Sequence, residues 1–208
     1  MSAKRNVDSV TLLAVSKKKP VDAIREAQAA GLEHFGENYV QEALTKIPFI
    51  EGRATWHFIG PLQSNKTRAV AENFDWIHTV SSARIARRLS SQRPDRLPPL
   101  QVCLQIKPAG GDSRSGVDEQ DLESLARLVD ELPGLQLRGL MIVPLPDCSP
   151  AETRAEFARV RQYAQDLRES GWEMDTLSMG MSADFEAAIA EGSTIIRIGT
   201  ELFGARDR

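Results

Sequence analysis

The chain has 208 residues, a net charge of −3, and 41% hydrophobic and 26% charged residues, a composition that is ordinary for a globular protein. With a pI of about 5.7, it has no bulk electrostatic attraction to nucleic acid or to anionic membranes, and we expect neither as a partner. No apolar run reaches the roughly 20 residues that span a bilayer, and the N-terminus lacks the pattern of a secretory signal. The two cysteines are too few for a disulfide framework. We therefore expect a cytoplasmic protein.

Short apolar strands alternate with amphipathic helical segments along the chain. The strands are predicted at 10–16, 34–37, 56–59, 76–80, 100–106, 137–143, 176–178 and 194–198. The helices are predicted at 21–30, 40–47, 64–72, 83–91, 119–131, 150–170 and 183–191, with a short closing helix at 201–208.

This alternation favours parallel strands that are joined by helices. Eight such units are the number that closes a barrel, and 208 residues lie near the short end of that fold's range. We predict an α/β fold consisting of a single (β/α)8 TIM-type barrel. An open, doubly wound sheet is the alternative, but no Gly-x-Gly-x-x-Gly motif follows the first strand.

The first predicted strand is followed directly by a lysine, Lys17. In a barrel of this kind the functional groups lie at the carboxyl ends of the strands. Desolvation at such a position lowers the pKa of an ammonium group and makes the neutral amine available for Schiff-base chemistry. The alternative is that Lys17–Lys19 form a solvated basic loop.

Glycines and hydroxyl side chains follow the last two strands. Ser182, after Met179-Gly180-Met181, is expected to cap the helix that begins there, and Gly199-Thr200 offers further N–H donors and a hydroxyl. Barrel phosphate sites often form from the loops after strands seven and eight. These residues predict a phosphate site, with ordinary capping and turn formation as the alternative.

Arg197 lies in an otherwise apolar strand, so we expect its guanidinium to be buried with partners. One interpretation is a structural salt bridge, for instance to Glu37 or Glu201. The other is a donor that faces a ligand acceptor such as a ring nitrogen. His57 alternates with aromatic residues, and we expect a histidine satisfied within the core rather than a metal ligand.

An amine, a phosphate cradle and a partner for a ring nitrogen together describe a pyridoxal phosphate (PLP) site. The chain also resembles the pyridoxal phosphate homeostasis protein family. Members of this family are single-domain relatives of the N-terminal barrel of alanine racemase, which has the fold called fold type III among PLP proteins. The segments that carry the resemblance follow the family's order, and the stretch 57–66 is the most diagnostic. They lie at 12–20, 34–42, 56–68, 138–141, 177–182 and 197–204.

The resemblance implies a role for each site residue. Lys17 would bind pyridoxal 5'-phosphate covalently as an internal aldimine, and Arg197 would face the pyridine nitrogen. Three residues would hold the phosphate: Ser182, Gly199 and Thr200. Three would line the pocket: Asn38, His57 and Met181.

The resemblance also implies one PLP-binding barrel domain over residues 1–208. This domain would lack most of the family's usual N-terminal helix and the C-terminal β-domain of alanine racemase. We expect a monomer whose partners are PLP and the apo-enzymes that receive it.

Two functions use the same site. The first is a PLP carrier or reservoir for cofactor homeostasis that does not turn over. The second is an amino-acid racemase or lyase, which needs another acid/base group across the substrate. In alanine racemases a tyrosine from the β-domain supplies that group, and Tyr39 is the obvious substitute in this chain. We expect the carrier. A barrel that binds no cofactor and serves only protein interactions is a third alternative.

Overall fold

The computed structural model describes residues 9–111 and 115–204. It contains eight parallel strands, each paired with the next, and β1 also pairs with β8 to close the barrel. The strands are β1 (Thr11–Val15), β2 (His34–Glu37), β3 (Thr55–Phe58), β4 (Trp76–Val80), β5 (Leu100–Gln105), β6 (Leu135–Met141), β7 (Thr176–Met181) and β8 (Ile195–Ile198). The predicted (β/α)8 barrel is confirmed.

A helix follows each strand and covers the outside of the barrel. The helices are α1 (Val21–Ala29), α2 (Val40–Leu44), α3 (Thr67–Asn73), α4 (Ala83–Gln92), α5 (Glu119–Glu131), α6 (Pro150–Glu169), α7 (Phe185–Ala190) and α8 (Thr200–Phe203). Short 3-10 turns at Ile47–Phe49 and Ser64–Lys66 lie between α2 and β3 and before α3.

Helix α5 shows how a long outer helix packs against the barrel through one apolar stripe. In α5 the buried residues are Leu122, Leu125, Ala126 and Val129, the i, i+3, i+4, i+7 spacing that places side chains on one helix face. Because all strands run in the same direction, the residues that follow them meet at one rim of the barrel, which we call the mouth.

The element bounds differ from the sequence prediction most clearly at β7, which continues to Met181 instead of ending at residue 178. The pairing of β7 with β8 shifts register between Ser178 and Met181, and Gly180 has a φ of +98° that suits such an irregularity. The glycine therefore forms part of a strand rather than the start of a helix. Of the predicted closing helix, α8 covers its first residues, and residues 205–208 lie outside the described part.

Within residues 9–111 and 115–204, no helix combines the length and hydrophobicity needed to cross a lipid bilayer.

Gly139 in β6 tests the closure of the barrel. A Cβ on Gly139 would lie 1.8 Å from the carbonyl oxygen of Thr176, its neighbour in β7, so Gly139→Ala forces the two strands apart. We expect a loss of at least about 3 kcal/mol in the free energy of unfolding, measured by urea denaturation. Gly31→Ala is the control, because a Cβ there meets nothing and only the φ of +96° opposes it, at a cost of about 1 kcal/mol. Equal losses in the two variants would contradict the close approach.

Candidate functional site

The pairing of β1 with β8 brings the predicted lysine and the predicted phosphate residues to the same part of the mouth. Leu13 is opposite Arg197 and Ala14 is opposite Ile198. A Cβ on Gly199 would be 3.4 Å from Val15, so the two chains are in close contact where they leave the barrel. Lys17 follows β1 by two residues and is half-buried.

The loop that carries Lys17 rests on a buried ionic cluster. Lys46 Nζ donates to the Ser16 carbonyl oxygen (2.8 Å), to Glu37 Oε1 (2.8 Å) and to Glu42 Oε1 (2.5 Å). The Ser16 hydroxyl donates to Glu37 Oε1 at 2.7 Å. Glu37 has no solvent exposure, and its burial raises the pKa of the carboxyl group while the hydrogen bonds from Lys46 and Ser16 oppose that rise.

The conformation of this loop is fixed on both sides of Lys17. Lys18 has a φ of +60°, which is uncommon for a residue with a side chain, and its N–H donates to Glu42 Oε1. Lys19 Nζ donates to the carbonyl oxygens of Phe203 (2.7 Å) and Gly204 (3.3 Å). Lys18 thus ties the loop to α2 through its backbone, and Lys19 joins the loop to the segment that follows β8.

Arg197 is 5% exposed and is held by backbone and hydroxyl acceptors. Its Nη1 donates to the carbonyl oxygen and the hydroxyl of Ser178 at 2.7 and 2.9 Å, and its Nη2 donates to the Ile142 carbonyl oxygen at 2.9 Å. The suggested salt bridge to Glu37 is wrong, because Glu37 pairs with Lys46, and no ion pair to Glu201 forms among the described residues. Burial lowers the pKa of Arg197 to about 10, so the guanidinium stays charged at neutral pH.

Asn38 follows β2 at the mouth and carries an unused acceptor. Its side-chain oxygen Oδ1 is buried and has no hydrogen-bond partner within the described part of the chain. Gly60 fits closely against it, since a Cβ there would lie 2.1 Å from the Asn38 carbonyl oxygen. A buried acceptor without a partner suits a polar ligand that donates to it.

Ser182 is half-buried, but it does not cap α7. That helix begins at Phe185 with Asp184 in the N-cap position, and Asp184 Oδ1 accepts a hydrogen bond from the Met181 N–H at 2.6 Å. The predicted capping role of Ser182 is therefore wrong, because β7 extends further than expected. Met181 and Ser182 line a cavity of about 610 Å³.

Gly199 and Thr200 begin α8, with Gly199 in the N-cap position. Both residues therefore lie where free backbone N–H groups are expected at a helix start. Met181, which is 37% exposed, is opposite Arg197 in the strand pairing.

His57 lies inside the barrel, not at the mouth. It has no solvent exposure, and its two ring nitrogens bind His34 at 3.0 Å and His78 at 2.9 Å. Both ring nitrogens are thus engaged within the barrel, and the place of His57 in the pocket lining stays a prediction. Burial lowers its pKa well below the usual value. No group of His, Cys, Asp and Glu side chains in residues 9–111 and 115–204 forms a metal site.

Ser178, His78 and Lys46 form no part of the site predicted from the sequence. His78 had a signal, because one histidine falls in each of three consecutive strands and consecutive strands are neighbours in a barrel. Lys46 gave no such signal, since its contacts with Ser16 and Glu37 depend on the path of the chain after the end of α2.

The barrel and the residues at its mouth define a class of protein, the alanine racemase N-terminal domain, and residues 2–207 match that family. The chain belongs to this family, and more closely to its pyridoxal phosphate homeostasis proteins. It is 56% identical to the pyridoxal phosphate homeostasis protein of Pseudomonas aeruginosa, over 99% of this chain and 89% of that one. The protein of the same name from Escherichia coli K12 is 52% identical, over 98% and 88%.

Solved structures show the same relationship. PipY of Synechococcus elongatus PCC7942, solved with PLP bound, superposes with a TM-score of 0.89 at 43% identity, covering 97% of this chain and 95% of PipY. Alanine racemase of Corynebacterium glutamicum shares the fold at 20% identity, with a TM-score of 0.73, over 95% of this chain and 56% of the racemase.

Lys46→Ala tests the ionic cluster beneath the lysine loop. Removing the ammonium leaves Glu37 and Glu42 without their counter-charge, and we expect the free energy of unfolding to fall by about 3–5 kcal/mol, measured by urea denaturation at neutral pH. Arg68→Ala removes an exposed i,i+4 partner of Glu72 and is expected to cost less than about 1 kcal/mol. A loss in Lys46→Ala as small as that in Arg68→Ala would show that the cluster does not support the fold.

The buried histidines predict a loss of stability in mild acid. Burial lowers the pKa of His57 and brings that of His78 to about 3, whereas both titrate near 6.5 when unfolded. Below that value the unfolded state takes up protons that the folded state does not. Stability is therefore full above pH 6.5 and falls by up to about 1.4 kcal/mol per pH unit for each histidine as the pH drops. Urea unfolding between pH 7 and 5 measures this slope, and His78→Phe should lower it. An unchanged slope in that variant would contradict the assignment.

Proposed function

We propose that this chain binds pyridoxal 5'-phosphate at the barrel mouth and serves PLP homeostasis. The observation that carries the proposal is a charged, immobilised arginine, Arg197, in the strand that pairs with β1, which Lys17 follows. The proposal is supported by the names of the bacterial relatives and by the PLP that is bound in the PipY structure. The unpartnered Oδ1 of Asn38 also fits a polar ligand at this place.

Each residue has a defined task in this proposal. When bound, the cofactor supplies an aldehyde that forms a Schiff base with an amine. Lys17 provides the amine and becomes the covalent anchor, and Arg197 donates to the ring nitrogen and opposes its protonation because both would then be positive. The remaining contacts are the phosphate residues Ser182, Gly199 and Thr200 and the lining residues Asn38 and Met181.

We further propose that the protein stores or delivers PLP without turnover, as a cytoplasmic monomer that passes the cofactor to apo-enzymes. The homologues are named as homeostasis proteins, not as enzymes. Tyr39, the candidate for a second acid/base group, is 52% exposed, whereas proton transfer to a substrate carbon is favoured in a site that excludes water. The two cysteines are both free, which suits a reducing compartment.

The anchor is tested by substitution and chemical trapping. Lys17→Ala should abolish the visible absorbance of bound PLP, and borohydride reduction of the wild-type protein followed by peptide mapping should place the label on Lys17. Lys18→Asn is the matched control, because asparagine tolerates the positive φ at that position, and it should keep the absorbance. A label on Lys18 or Lys19 would contradict the assignment. Racemisation of any amino acid by the wild-type protein that Lys17→Ala removes would overturn the proposal that there is no turnover.

A further inference from the structure

A continuous chain of hydrogen bonds runs through the barrel interior from Arg197 to His34. Arg197 Nη1 lies 2.9 Å from Ser178 Oγ, which lies 2.7 Å from His78 Nδ1. His78 Nε2 lies 2.9 Å from His57 Nδ1, and His57 Nε2 lies 3.0 Å from His34 Nδ1. Five side chains from β2, β3, β4, β7 and β8 take part, and we call them the relay. The three middle members have no solvent exposure.

The charge of Arg197 gives this relay a direction. A guanidinium can only donate, so Ser178 Oγ accepts from it. Among the described residues, the one acceptor within reach of the Ser178 hydroxyl proton is His78 Nδ1. His78 is then protonated at Nε2 and donates to His57 Nδ1. By the same reasoning His57 donates from Nε2 to His34.

The relay stabilises a cation at one end. Each imidazole is neutral and presents its lone pair toward Arg197, so the dipoles of the relay members are aligned with that charge and strengthen one another. Burial keeps His57 and His78 neutral, and the nearby Arg197 also lowers the pKa of His78. A protonated imidazole beside the guanidinium would reverse this arrangement.

We propose that Ser178 and His78, supported by His57 and His34, are positioning residues that hold Arg197 charged and oriented toward a pyridine nitrogen at the mouth. This inference rests on the proposed function. The three hydrogen bonds of Nη1 and Nη2 to Ser178 and Ile142 fix the orientation of the guanidinium plane. Nε has no partner in the described part of the chain and is left for a ligand.

The tautomers of the relay are measurable without any ligand. The chain has only three histidines, all of them in the relay, so selective 15N labelling gives six ring nitrogens. In the ligand-free protein at neutral pH, we expect all three rings to carry the proton on Nε2 and to show Nδ1 as an acceptor. An Nδ1–H tautomer at His78, or a charged His57 or His78, would overturn the inferred direction.

The effect on the ring partner is tested with two buried serines. Ser178→Ala removes the hydroxyl that joins Arg197 to His78. The matched control Ser193→Ala removes an equally buried hydroxyl, which contacts carbonyl oxygens of Leu177, Met179 and Ile195. We expect Ser178→Ala to weaken PLP binding about tenfold, as for the loss of one hydrogen bond to a charged group, and to shift the pH dependence of the bound cofactor's absorbance. Ser193→Ala should leave both unchanged.

His78→Phe removes the next member of the relay after Ser178, and His34→Gln changes the member farthest from Arg197. His78→Phe should shift the absorbance in the same direction as Ser178→Ala, while His34→Gln, which keeps an acceptor, should have the smallest effect. If His78→Phe does not fold, Ser178→Ala decides. Absence of PLP binding by the wild-type protein would overturn the proposed function, whereas binding and spectra that are unchanged in Ser178→Ala would overturn only this inference.

Discussion

A guanidinium keeps its charge when it is buried, and the centre of this barrel is arranged around that constraint. Arg197 is 5% exposed, and no carboxylate in the described part of the chain forms an ion pair with it. The barrel compensates with the carbonyl oxygens of Ser178 and Ile142 and with a hydroxyl that is backed by imidazoles. Such partners satisfy the N–H groups without cancelling the charge.

A second buried charge system, on β2 and α2, is organised in the opposite way. Lys46 sits between two carboxylates, Glu37 and Glu42, so its positive charge is compensated within the cluster. Its effect is mechanical, because it binds the Ser16 carbonyl oxygen and the Lys18 N–H on either side of Lys17. One system thus positions a buried cation, while the other fixes the backbone on both sides of Lys17.

The fold was largely predictable from the sequence because the strand and helix periods alternate without interruption and the eight units determine closure. The placement of Lys17 and Arg197 followed from the strand ends. That Ser182 does not cap a helix could not be predicted, because this depends on where β7 ends, and Gly180 lets the strand continue to Met181. His57 was correctly expected to be hydrogen-bonded within the core, although the resemblance also implied a place in the pocket lining. Its hydrogen-bond partners, His34 and His78, could not be predicted, because they depend on the register of β2, β3 and β4.

β1 and β8 are the first and last strands of the barrel, and Lys19 binds the carbonyl oxygen of Phe203, 184 residues away. Contacts between such distant residues require the closure of a very large loop, so they are expected to form late in folding. The mouth residues on both sides of this seam come together only when the barrel is finished. A ligand that contacts Lys17 and Arg197 at once therefore selects the closed chain over partly folded ones and acts as a clamp on the seam.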